Sequence, residues 1–472
     1  MGQEIEESRF TKADFAEFEE RLRAETALLE ASLADGAFAD TPKVGGFELE
    51  AWLVGPDMRP APLVEAFLEQ LDDPLVVPEL ATFNTEINGT PQRLHGDALS
   101  RLAAELEATW GRCTEAAARI DTRLAMIGIL PTVRPEQLDM DHMTPRKRYQ
   151  ALNEQILNLR RGRPLSLEIR GRDRLYVEQE DVMLESAATS FQIHLKVAPA
   201  EAARLYNASK ILSAPLVAIS ANSPYLFGCD LWSETRIPLF EQAVSVGGSI
   251  LSERVNFGIR YAESSVLECF RANLTRYPVI LPQLSDEPPQ SYAHLRLHNG
   301  TIWRWNRPLI GFDDDGAPHL RIEHRVVPAG PTVADMIANA ALYFGAAESL
   351  SREETPPERT IPFLIARTNF YTAARQGMRA EIQWTDGRIA PLRDIFEQDL
   401  LPRARDGLGR LGIDPEEIDR WLGIIEGRLH GGQTGADWQR AFVERHDAGM
   451  ADLTAAYLER QQSGRPVHEW TL

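Results

Sequence analysis

The chain has 472 residues, 43% hydrophobic and 25% charged, an ordinary globular composition with enough length for a large core. Its 70 acidic side chains against 50 Lys and Arg leave a formal charge of −20. That surplus repels nucleic-acid phosphates and anionic membrane surfaces, but it does not exclude a nucleotide that arrives with its metal and meets local arginines.

The opening MGQEIEESRF is acidic and polar, so no signal peptide is expected, and it lacks the Ser/Thr that myristoylation favours. No apolar run reaches membrane-spanning length. Cys113, Cys229 and Cys269 are scattered, without C-x-x-C spacing, and fit a reducing cytoplasm. The expected partners are therefore small molecules, not nucleic acid or membrane; the oligomeric state is not readable.

In chain order, residues 11–35 read as a helix opened by a Thr11-x-x-Asp14 capping pattern and closed at Gly36. The run GGFELEAWLV follows as a strand. DPLVVPELATFNTEING reads as an extended segment, a turn and a second strand. Residues 97–124 form an amphipathic helix pattern, MIGILPTV a short apolar strand, and RKRYQALNEQILNLRRG another helix closed by Gly162. LSLEIRG and RLYVEQEDVMLESAATSFQIHLKV are β-rich. Pro199 starts a helix, PAEAARLYNASKIL, followed by SAPLVAISANSPYLFG, apolar with a polar turn. Strands return over 300–328, and helical patterns dominate from about 332. Strands early and helices late indicate an α+β fold. The expected divisions are an N-terminal helical extension (1–42), a sheet domain carrying the chemistry (43–330), and a helical C-terminal region (331–472) packed on that domain.

Four strand-like runs each place two polar side chains two residues apart: Glu48/Glu50, Glu86/Asn88, Gln192/His194 and Glu323/Arg325. Residues i and i+2 share one strand face, while Leu49, Ile87 and Ile193 between them face the other. One such pair is ordinary solvated surface. Four of them point to a single sheet with an acidic concave face and a buried back. Carboxylates two residues apart lie roughly 6.6 Å apart and repel by about 2.5 kcal/mol at an effective dielectric of 20. Cations remove that cost. Hard divalent ions such as Mg²⁺ take carboxylate oxygens and keep waters and phosphates as other ligands. An Arg beside them suits a phosphate oxygen. The combination indicates a metal-bound nucleotide.

Other candidates carry less pattern. Arg236, after the Asn222–Pro224 turn, could bind a substrate carboxylate or lie on a helix surface. Arg307, among aromatics, could reach ATP phosphates or stack on Trp305. Asp181 and Glu185 read as a solvated loop rather than a further acidic shell. His142, His294, His298 and His319 have no partner spacing and read as surface or core. No phosphate-loop, dinucleotide-fold, kinase or nucleophile-elbow motif is present.

Gly46-Phe47-Glu48-Leu49-Glu50, Glu79-Leu80 leading to Phe83-Asn84-Thr85-Glu86-Ile87-Asn88, Ser190-Phe191-Gln192-Ile193-His194, Ile219 to Pro224, Thr301-Ile302-Trp303 to Arg307-Pro308, Glu323-x-Arg325, and Arg367 to Gly377 stand in an informative order. Over roughly residues 44–400 the chain resembles the second glutamate–cysteine ligase family, carboxylate–amine ligases related to glutamine synthetase. The resemblance implies a curved, mostly antiparallel sheet of the glutamine synthetase catalytic type, wrapped by helices. It also implies ATP and Mg²⁺ as cofactors and amino acids as substrates. On the family pattern, Glu48, Glu50, Glu86, His194 and Glu323 hold the metal. Arg325 and Arg307 neutralise the transferring phosphate, Gln192 assists nucleotide binding, and Arg236 and Asn88 contact substrate. The product is expected to be γ-glutamylcysteine, formed through a γ-glutamyl phosphate, with another amine or acid as the alternative and, less favoured, a non-catalytic nucleotide-binding relative of the same fold. Arg134–Arg148 and Asp313–His319 are candidate lids.

Overall fold

The computed structural model describes residues 5–248 and 252–472; the start of the acidic N-terminus, MGQE, lies outside them. In chain order the strands are β1 (Val44–Val54), β2 (Val76–Pro78), β3 (Asn84–Asn88), β4 (Gln92–Arg93) and β5 (Arg123–Ala125). Next come β6 (Leu165–Arg170), β7 (Arg174–Gln179), β8 (Phe191–Val197), β9 (Tyr225–Leu226), β10 (Cys229–Asp230), β11 (Asn306–Phe312) and β12 (Pro318–His324). The main sheet runs β11-β12-β8-β1-β3-β2, with β4 and β5 also pairing to β1. Every pairing in it is antiparallel. This is the curled antiparallel sheet of an α+β fold that the sequence indicated.

The two faces separate by strand periodicity. Leu49, Ile87 and Ile193 are buried on the back, and Phe47 stacks on Phe191 at 5.4 Å between ring centroids. Two long helices supply the layer behind. Pro199–Ile219 packs on β11 and β12, and Val333–Ser351 packs on β8. Both are buried nearly all round, as expected of helices sandwiched between a sheet and further helices.

The first helix, Lys12–Ala34, has the expected capping box: Thr11 accepts from the Asp14 N–H while Asp14 accepts from the Thr11 N–H. The helix from Pro199 differs from expectation. It does not stop at SAP but continues through Pro215 to Ile219. Burial of every residue from Leu205 to Ile219 outweighs the local cost of proline. MIGILPTV also differs: β5 ends at Ala125, just before it, and the whole run is irregular but buried. β6 and β7 form a hairpin apart from the main sheet.

Helix Val333–Ser351 meets helix Leu401–Leu411 with backbones almost touching. A Cβ on Gly345 would lie 2.1 Å from the Ala404 carbonyl oxygen. A Cβ on Gly407 would lie 1.9 Å from that of Gly345. Gly345→Ala is therefore expected to destabilise the protein by about 3 kcal/mol, the upper end for overpacking. Chemical denaturation would read this; an unchanged midpoint would show that the helices separate freely.

Candidate active site

The strand register assembles the four polar pairs on one face. Glu50 lies opposite Glu86, and Glu48 opposite both Asn88 and Gln192. His194 lies opposite Glu323, and Glu323 opposite Arg307. Like charges directly across a strand pair are destabilising, so Glu50 facing Glu86 is an arrangement that the fold alone does not favour.

The carboxylates fall into two groups. Glu48, His194 and Glu323 bring one ligand atom each within 4.8 Å of one another, and so do Glu50, Glu79 and Glu86. Glu79 was not among the predicted ligands. It follows β2 in a turn and has no i+2 polar partner, so strand periodicity could not flag it; only its place beside Leu80 in the family motif marked it.

Between the groups runs a row of hydrogen bonds. Ser190 N–H and Gln192 Nε2 donate to the two oxygens of Glu50, at 2.7 and 2.9 Å. Arg325 Nη1 donates to Gln192 Oε1 at 2.6 Å and to Glu323 Oε2 at 3.2 Å. Arg307 closes the row with a two-pronged contact on Glu323, at 2.9 and 2.8 Å. Its remaining nitrogen points to the carbonyls of Asn299 and Gly300. Arg307 is thus committed to protein partners. Arg325 retains a buried Nε without one.

Burial and charge set the protonation of these groups. Arg307 and Arg325 overcome the burial of Glu323 and hold its carboxyl far below the usual range. Burial, with Glu48 and Glu50 nearby, pushes Glu86 up to about 7. Burial and then Glu86 and Glu50 drive Glu79 well above its ordinary value. Burial lowers His194 to about 4, so the ring is neutral at pH 7. A neutral imidazole is the metal-ligating form. Its buried Nε2 makes no hydrogen bond and stands 3.5 Å from Glu48 Oε1 and 4.0 Å from Glu323 Oε1. An orphaned imidazole nitrogen between two carboxylates, beside a second acidic group whose members resist ionisation, fits divalent cations.

The remaining candidates are placed as follows. Arg236 is neither on a surface nor among the cavity-lining residues. It is 2% exposed and donates to Glu234 and to the carbonyls of Arg325 and Val326. It braces the backbone that carries Arg325. Asn88 donates to Glu86 Oε1 at 3.1 Å and to the Leu75 carbonyl, so it orients Glu86 rather than facing the cavity. Asp181 is a buried turn residue that accepts from Gln179 and the Met183 N–H. Glu185, expected in a solvated loop, instead lines the cavity with Glu50, Glu79 and Glu86. The short 3₁₀ turn Met183–Ala187, leading into β8, carries it there. His294 bonds Glu25, and His319 stands 3.0 Å from Asp313. Of the two lid candidates, Asp313 is tethered by Lys196 at 2.6 Å, while Arg148, at the end of the other, lines the cavity.

A concave antiparallel sheet that gathers carboxylates and arginines on one face belongs to the ATP-dependent carbon–nitrogen ligases, here of the carboxylate–amine type. The chain belongs to glutamate–cysteine ligase family 2, whose family model matches residues 45–457. That match runs beyond the motif-bearing stretch into the C-terminal helices. No curated protein sequence matches. Among solved structures, the chain is similar to the glutamate–cysteine ligase of Francisella tularensis in complex with AMP. The TM-score is 0.59 at 12% identity, covering 90% of each chain. It is also similar to a bifunctional glutathione synthetase from Pasteurella multocida, with TM-score 0.53 and 12% identity. That likeness covers 92% of this chain and 55% of the other, so this chain spans about half of that protein's length. At such identities the likeness is one of fold.

Proposed function

We propose that the protein joins L-glutamate to the amino group of cysteine, forming γ-glutamylcysteine at the expense of ATP. The observation that carries this reading is the pair of three-ligand groups flanking the Glu50–Gln192–Arg325–Glu323–Arg307 row. A carboxylate is a poor electrophile and must be activated before an amine can attack it. Transfer of a phosphoryl group to the carboxylate does this, and the developing charge spreads over the phosphoryl oxygens.

Glu48, His194 and Glu323 would hold one Mg²⁺ and Glu50, Glu79 and Glu86 another. Bound Mg²⁺ supplies charge neutralisation at the transferring phosphate. Arg325 offers its unpartnered Nε to a phosphoryl oxygen. Arg307 acts through Glu323, fixing its orientation and keeping it ionised. Gln192 holds Glu50 and Arg325 in one geometry, so both are set before substrate arrives. Arg236 braces Arg325 from behind. The acyl phosphate must be kept from water, and the segment Arg134–Arg148, which ends in the cavity-lining Arg148, is placed to cover it.

The test is phosphate release from ATP and Mg²⁺ with L-glutamate, with and without L-cysteine, followed by product mass. Cysteine-dependent release with a γ-glutamylcysteine mass is the expected result. Release that responds to another amine and not to cysteine would keep the ligase chemistry and replace the substrate. No release with a broad panel of acids would overturn the reading.

A further inference from the structure

Glu185 stands apart from the other carboxyls of the cavity. It lines the same space as Glu50, Glu79 and Glu86, yet it belongs to neither three-ligand group. Among the described residues its carboxyl has no hydrogen bond or ion pair; Glu50, Arg325 and Arg148 act on it only through their charge. Every other carboxylate on this face is held by a neighbour or gathered with two more. Glu185 is half-buried and open to the cavity, where a bound cation would replace water as the partner of its carboxyl. Each of the two groups already offers a metal three protein ligands without it, and Mg²⁺ keeps waters and phosphate oxygens at its other positions. The remaining cation this reaction brings is an ammonium.

Resting on the reading above, we propose that Glu185 binds the ammonium of the amine substrate and takes its proton as the carbon–nitrogen bond forms. Glu185 lines the same cavity as Arg325 and Glu50; on that reading Arg325 would meet the phosphoryl group and Glu50 a metal, and the carbonyl under attack would lie within reach of Glu185. The nucleophile must be there; the α-ammonium of glutamate, several bonds from the γ-carboxyl, need not be. The amine arrives as R–NH₃⁺ and has no lone pair to attack with. Glu185 carboxylate accepts one proton, leaving R–NH₂. The nitrogen lone pair attacks the acyl carbon, and the bond from that carbon to the phosphate oxygen breaks. The second nitrogen proton leaves with the departing phosphate. Glu185 returns its proton to solvent when the product dissociates. Burial, and then Glu50, push the Glu185 carboxyl up to about 8; a cation bound beside it favours the ionised form that accepts the proton.

Two assays on wild type and Glu185→Gln test this. The first is carboxylate-dependent positional isotope exchange in bridge-labelled ATP, measured with glutamate and no amine. The second compares amide formation from cysteine with hydroxamate formation from hydroxylamine, which is already neutral at neutral pH. Glu185→Gln should keep the exchange rate, the KM for glutamate and the hydroxamate yield. Its kcat/KM for cysteine should fall by about 10²-fold, the lower range for general-base catalysis. Hydroxamate formation also shows that the variant is folded. Equal losses with both nucleophiles would overturn the proposal, and so would unchanged cysteine kinetics. Lost exchange with a raised KM for glutamate would overturn it too, by placing Glu185 on the acid substrate. Absence of exchange in the wild-type protein would instead overturn the ligase reading itself.

Discussion

Glu323→Gln is expected to remove turnover by at least about 10³-fold while leaving a folded protein of lower stability. Loss of one preorganised electrostatic contact alone costs 10²–10³-fold, and Glu323 serves in three. It contributes an oxygen to the group with Glu48 and His194, and it anchors both Arg307 and Arg325. It is 1% exposed, and so are few carboxylates without strong pairing. Glutamine preserves the shape and can still accept one hydrogen bond, but it leaves two buried guanidinium groups without their shared counter-charge. Breaking a buried pair from one side costs about 3–5 kcal/mol. Urea unfolding of the metal-free proteins and steady-state turnover with excess Mg²⁺ would measure both effects. A variant that unfolds early but still turns over would take Glu323 out of the reacting centre and leave it a purely structural anion.

The same arrangement explains what the sequence could reveal. The i, i+2 pairs were legible because a strand has period two, and because Leu49, Ile87 and Ile193 between them are apolar. The register needed no separate information: once one face is buried, a one-residue slip would turn Glu48 and Glu50 into the core. Residues outside strands left no such trace. Glu79 sits in a turn after β2 and Glu185 in a single 3₁₀ turn. Their chemistry depends on where the chain folds back, which periodicity does not encode. Arg236 illustrates the opposite limit. Its position after a polar turn left a substrate contact and a helix surface equally open, yet its guanidinium caps the carbonyls of Arg325 and Val326 deep in the protein.

The motif around Asn222 had a reason of its own. Asn222 Nδ2 donates to the Ala329 carbonyl and to Tyr457 Oη, and Gln439 donates back to Asn222 Oδ1. Helices Gly435–His446 and Met450–Gln462 therefore fasten the turn that precedes Arg236. The C-terminal helices, which carried no chemical motif, support the backbone under Arg325 through these contacts and through Arg236. The family match that reaches residue 457 has a physical counterpart in that bracing.

Without added metal the protein is expected to lose stability relative to its Glu86→Gln variant as pH rises from 4.5 to about 7, and Mg²⁺ is expected to restore it. In the unfolded chain the Glu86 carboxyl ionises near its ordinary value of 4.5, whereas burial pushes it up to about 7 in the fold. Between those values the native state binds more protons than the unfolded state, so stability falls with rising pH. A displacement of that size corresponds to about 3 kcal/mol once both states are ionised. Glu79 shifts in the same direction and adds to the loss. Glu323 is shifted the other way; its contribution is present above 4.5 and disappears as pH falls below. The buried His194, lowered from 6.5 to about 4, and His298, lowered likewise, gain stability as pH rises across 4 to 6.5, so the Glu86 contribution is read as the difference between wild type and Glu86→Gln at each pH. Mg²⁺ binds only the ionised carboxylates, so its stabilisation should grow with pH and flatten the alkaline decline. At a hundred times its Kd it would contribute about 2.7 kcal/mol. Glu86→Gln offers the complementary comparison: the metal-free variant should be more stable than wild type at pH 8 and should gain little from Mg²⁺. Urea midpoints at pH 5, 6, 7 and 8, with and without Mg²⁺, decide this. A metal-free protein that loses no stability relative to Glu86→Gln across that range would mean that Glu86 ionises at no cost beside Glu48 and Glu50. The acidic face would then have lost its main physical reason for existing.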